Sequence, residues 1–299
     1  SRLERSLDAK AKELDGVVKI GRTHLQDAVP VRLGQEFGGY AQQVRAGRAR
    51  VEATLPRLAE LALGGTAVGT GLNAPPGFAD RVIRQIAERT GHPFVPAPNR
   101  FEALAAKDSC AEVSGALRTV AGSLKKIADD IRWLASGPRC GIGEITIPSL
   151  QPGSSIMPGK VNPVIPESVL MVVAQVMGND VTVAASAMAG NFELNVMMPV
   201  LVYNLLQSID LLGNASTMLA EKCVDGIEAN EERAKEMVER SLAMCTSLAP
   251  RIGYDQAASI AKEAFASGRT VREVAVEREV LPVDELDRLL DPWSMTEGG

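Results

Sequence analysis

The sequence predicts an all-α protein, a long central helix bundle completed by further copies of the chain and followed by a small C-terminal helical domain. Three observations carry this. A heptad seam runs through residues 108–136, two long stretches are apolar on nearly every side, and short charge-rich segments follow residue 230. At roughly 150 residues per domain, 299 residues leave room for one large domain or two. The expected division places the bundle at 1–230 and the small domain at 231–299.

The opening residues put Leu3, Leu7, Leu14 and Val18 on one helical face, so the chain is expected to start within a helix. A second helix is expected over 35–63, kinked at Pro56. The charge-free run 61–79 holds five glycines and Pro75-Pro76, and reads as a loop rather than a membrane span. Val113, Leu117, Val120, Leu124, Ile127, Ile131 and Leu134 alternate spacings of four and three, the pattern of a helix packed lengthwise on others. Gly137-Pro138 ends it, and 144–147 could pair briefly as a strand. Helices over 167–189 and 196–223 lack a polar face and must be surrounded by protein. A single chain of this size offers them limited room, so other subunits are expected to complete the bundle. Amphipathic helices over 231–244, 255–266, 270–279 and 283–290 come next, separated by Gly253 and Gly268, with Pro282 opening the last.

Composition narrows the function. Thirty-two basic against 37 acidic residues give a net charge of −5, unsuited to a nucleic-acid binder. Three Tyr, two Trp and six Phe are too few for stacking platforms. Two histidines argue against a His-based metal site. Cys110, Cys140, Cys223 and Cys245 form no CxxC pair and read as reduced, buried thiols of a cytosol-like compartment.

Three polar clusters interrupt the bundle pattern. Gly21-Arg22-Thr23-His24-Leu25-Gln26-Asp27 is dense in donors and acceptors. His24 could act as a general base near neutral pH, or simply hydrogen-bond local backbone. Pro152-Gly153-Ser154-Ser155-Ile156-Met157-Pro158-Gly159-Lys160-Val161-Asn162-Pro163 could form an anion nest beside a cation and an amide, or a structural turn. It lacks the spacing of a Walker loop. Glu167, the lone charge opening an apolar helix, fits either a helix-dipole role or a histidine's partner. His92 reads as solvated surface.

These clusters together resemble the class II fumarase branch of the fumarase/aspartase superfamily. The segment from Gly153 to Pro163 is similar to the superfamily signature, and the segment from Gly21 to Asp27 to its second shared region. The likeness extends to the segment from Glu60 to Asn73, to Ala97-Pro98-Asn99-Arg100-Phe101-Glu102-Ala103 and to Asn191-Phe192-Glu193-Leu194-Asn195. Aspartases typically carry Gln in place of His24 and Ala in place of Gly159.

The resemblance implies a cytoplasmic homotetramer (mitochondrial matrix in a eukaryote) with sites shared between subunits. It implies reversible interconversion of fumarate plus water with (S)-malate, without metal or redox cofactor. Ser154 would be the base at C3, and His24 paired with Glu167 would act on the hydroxyl. Thr23, Ser155, Lys160, Val161 and Asn162 would bind substrate. Family chains also carry a carboxylate-binding Ser-Ser-Asn segment before the position matching Ser1. The chain is therefore expected to be the C-terminal part of such an enzyme, assembled but nearly inactive until that segment is supplied. An aspartase-like ammonia-lyase or a non-catalytic helical scaffold are the alternatives.

Overall fold

The computed structural model describes residues 1–151 and 156–297 and is predominantly helical. In chain order the first elements are α1 (Arg2–Glu13), β1 (Val18–Thr23), β2 (Gln26–Arg32), α2 (Leu33–Glu52), α3 (Leu55–Leu58) and β3 (Glu60–Leu61). Next come α4 (Phe78–Thr90), β4 (Val95–Pro96), α5 (Arg100–Ala105), α6 (Asp108–Leu134), β5 (Ile145–Thr146), α7 (Val164–Ala187) and α8 (Met198–Lys222). The chain closes with β6 (Glu228–Ala229), α9 (Glu231–Arg240), α10 (Ala249–Ile252), α11 (Tyr254–Ser267), α12 (Val271–Glu277) and α13 (Val283–Leu289).

Two compact units share these elements. The first comprises Ser1–Leu3, Gln42–Asp129 and Val164–Leu219. Here the heptad side chains Val113, Leu117, Leu124 and Ile127 of α6 are buried, as a lengthwise seam requires. A polar rung crosses α6, α7 and α8. Asp180 accepts hydrogen bonds from Ser114 Oγ at 2.7 Å and Arg118 Nη1 at 2.9 Å. Buried Asn179 donates to Gln207 Oε1 at 3.0 Å and Ser208 Oγ at 3.1 Å. By length and composition α7 could cross a membrane. Its buried and paired Asp180 identifies it instead as a core helix, because buried polar groups need partners that a lipid tail cannot provide.

The second unit comprises Glu4–Ala41, Asp130–Pro163 and Ala220–Gly299. Its core joins Val238, Leu248, Ile260, Val274 and Leu286 to Ile20 of β1. The unit holding 231–299 thus also takes in the N-terminal hairpin. A chain-order reading cannot foresee that, because the apolar faces of α9–α13 are covered partly by residues more than two hundred positions away. Cys140 is exposed and Cys110 and Cys245 are half-buried, so of the expected buried thiols only Cys223 is fully so.

Other expectations change in detail. The helix expected over 35–63 ends at Glu52, and Pro56 opens the separate turn α3 rather than kinking a continuing helix. A proline lacks the N–H an interior turn needs but fits the first turn of a new helix. Val18, expected on the helical face of the opening residues, instead starts β1, which pairs antiparallel with β2. The brief pairing expected near 144–147 occurs between β5 and β6.

Candidate functional site

The β1–β2 hairpin places Thr23 opposite Gln26, leaving His24 and Leu25 as a two-residue turn. Their φ angles are +56° and +59°, the type I′ pattern in which glycine or asparagine is usual. Non-glycine residues there cost roughly 1–2 kcal/mol each. Both side chains are exposed, so the hairpin delivers an imidazole and the Thr23 hydroxyl side by side to solvent. Backbone strain persists only where the surroundings impose it, and such residues cluster at functional sites.

Buried charge underlies the hairpin. Glu144 is fully buried and takes both guanidinium nitrogens of Arg22, at 2.8 and 3.1 Å. Lys19 Nζ lies 3.4 Å from the same carboxylate, 3.2 Å from Glu36 and donates to the Ile20 carbonyl at 2.8 Å. Two cations thus face two anions, which is how buried charges are tolerated. Reading along the chain does not find this cluster. Its only trace in the sequence is that Glu144 is a lone charge in a run of glycine and branched residues, while its cationic partners lie some 120 positions upstream.

Ser154 and Ser155 lie outside the described residues. The loop's described end, Ile156 to Asn162, is exposed. Lys160 N–H donates to the Met157 carbonyl, and Gly159 between them has φ +82°, a conformation that glycine adopts without penalty. Lys160, Val161 and Asn162 lead without regular secondary structure to α7, whose first turn contains buried Pro166 and half-buried Glu167. Thr23, His24, Lys160, Val161 and Asn162 belong to the second unit and Glu167 to the first.

Two clefts lie apart from these residues. One of 430 Å³ is lined by Val18, Lys235 and Trp293, and another of 520 Å³ by Arg57, Lys107 and Cys110. Among the described residues no group of three or more His, Cys, Asp or Glu side chains could hold a metal ion.

The likeness to known proteins runs along almost the whole chain. A lyase family model matches residues 1–178, and a model of the fumarase C C-terminus matches 244–297. The chain belongs to this lyase family. It is 54% identical to human mitochondrial fumarate hydratase over 294 residues, covering 98% of the chain and 58% of that protein. Against the class II fumarate hydratase of Neisseria meningitidis serogroup A it is 54% identical over 293 residues, covering 98% and 63%. The crystal structure of class II fumarase from Schistosoma mansoni superposes with a TM-score of 0.93 at 40% identity, covering 99% of this chain and 65% of that one. The chain therefore spans about three-fifths of the length of these relatives.

Proposed function

We propose that the protein interconverts fumarate plus water with (S)-malate. The observation supporting this is the 54% identity to a human fumarate hydratase sustained over 294 residues. The chemistry asks for two opposed groups. In the malate direction a C3 proton, only weakly acidic beside a carboxylate, must be removed before the C2 hydroxyl leaves. The charge then spreads into the carboxylate as an aci-acid dianion, and preorganised donors aimed at its oxygens supply the main stabilisation.

Lys160 and Asn162, on the exposed loop before α7, are assigned to those oxygens, with Val161 between them. Ser155 and Thr23 place the substrate. Ser154 takes the C3 proton, its alkoxide stabilised by loop amides and Lys160. His24, oriented by Glu167, donates a proton to the departing hydroxyl and activates water in the reverse direction. Acting on opposite faces, the two groups give trans addition.

The exposed apolar side chains of the long helices support a homotetramer with shared sites. Met171 and Val181 of α7 are 72% and 69% exposed, Met188 just beyond its end 81%, and Tyr203 and Leu206 of α8 are 66% and 54% exposed. A cytoplasmic or mitochondrial-matrix location goes with this reading, as does turnover without added metal or redox cofactor. The test is loss of fumarate ultraviolet absorbance on adding the intact protein. Turnover supports the hydratase reading, and no turnover by a well-folded tetramer supplied with the carboxylate-binding Ser-Ser-Asn segment favours the helical scaffold.

A further inference from the structure

We propose that the buried Arg22–Glu144 pair, buttressed by Lys19, is a positioning device that fixes the His24 ring for proton transfer. The inference rests on the acid–base role assigned to His24 above. A two-stranded ribbon is marginal by itself. The β1–β2 tip moreover holds two left-handed residues without a glycine, so its conformation must be imposed from below.

The anchor sits two residues before His24. Arg22 grips Glu144 through two nitrogens, at 2.8 and 3.1 Å, and a bidentate fork fixes orientation as well as distance. Glu144 is itself tied on both sides of its backbone. Its N–H donates to the Leu134 carbonyl, its carbonyl accepts from Asn230 N–H, and its side chain is fully buried. Lys19, on the same strand, adds a second tie to the same carboxylate at 3.4 Å.

Gly21 stands between the two cations, where the pairing register shifts and two β2 residues oppose one β1 residue. Such a bulge sharpens the local twist and re-aims the residues beyond it. A Cβ on Gly21 would lie 2.7 Å from the Val29 carbonyl oxygen, so only glycine permits this approach. The ribbon is thus clamped below and turned at Gly21, and the tip is carried rigidly into place. None of these side chains needs to touch substrate.

The histidines within these 299 residues are His24 and His92, and in histidine-labelled protein their ring NMR signals are assigned by their loss in His24→Gln and His92→Gln variants. His92 lies in an exposed turn of the other unit and serves as the reference. Arg22→Lys keeps the charge but loses the fork. Glu144→Gln keeps the shape but loses the charge. We expect both to broaden or double the His24 signals, leave His92 and the circular dichroism spectrum unchanged, and lower kcat on the order of 10²-fold with KM little altered. Folded variants whose His24 signals stay as in the wild type would overturn the proposal. Failure of Arg22→Lys to fold would overturn it too, since the pair would then be a folding contact. Because the ring signal needs no turnover, a wild type that stays inactive on fumarate even with the carboxylate-binding segment supplied, and whose variants still disturb His24, would refute the hydratase reading and leave the positioning intact.

Discussion

His24 and Leu25 hold positive φ at the hairpin tip while their side chains face solvent, so nothing local compensates the conformation. The buried ion pair beneath them supplies what the turn lacks. On the proposed assignment, Ser154→Ala lowers kcat far more than it raises KM, because the base acts mainly in the transition state. Glu167→Gln lowers activity and shifts the pH–rate profile, because His24 loses its anionic partner. Steady-state kinetics across pH checks both, and an unaltered profile for Glu167→Gln would reduce that residue to its helix-dipole role. Thr23, His24, Lys160 and Asn162 are legible as candidates because polar residues concentrate where the apolar pattern breaks. The Arg22–Glu144 pair is not, because 122 positions separate partners that meet only after folding.

The elements most legible in the sequence are those whose signals are local. The α6 seam, the short helices after residue 230 and the brief strand near Ile145 come from periodicity and turn residues. Thr270 illustrates such a signal. It caps α12 by accepting the Glu273 N–H, while the Glu273 carboxylate returns to the Thr270 N–H, a capping box. Thr270→Ala is expected to cost about 1 kcal/mol, the usual worth of an N-cap. The Thr270 N–H and then its hydroxyl hold the Glu273 carboxyl below its ordinary 4.5. A depressed folded value means that this contribution is complete above pH 4.5 and is lost as pH falls through the folded value. Thermal melts should therefore show Glu273→Gln less stable than the wild type at pH 7, with the gap closing in acid. A gap that widened in acid would contradict the sign. The hairpin escapes a periodicity reading because Val18 continues the helical spacing of Leu7 and Leu14, and only pairing with β2 decides that it is a strand. Pro56 is ambiguous for a related reason, since a proline fits a kink and a new helix start equally well until the chain direction is known.

Over the whole molecule, unsatisfied apolar surface is the dominant fact. Met171, Val181, Tyr203 and Leu206 are all more than half exposed on helices that otherwise carry few charges. Patches of that kind mark interfaces in soluble proteins. Sedimentation at micromolar concentration is expected to show a tetramer, and a well-folded monomer would contradict shared sites. The most direct test tracks the reaction itself. The intact protein is incubated with fumarate and ammonium in D2O, and the products are read by proton NMR. Trans hydration predicts malate carrying one deuterium at C3 as a single diastereomer, with one vicinal coupling constant. Aspartate in place of malate, or malate deuterated on both faces, would contradict it.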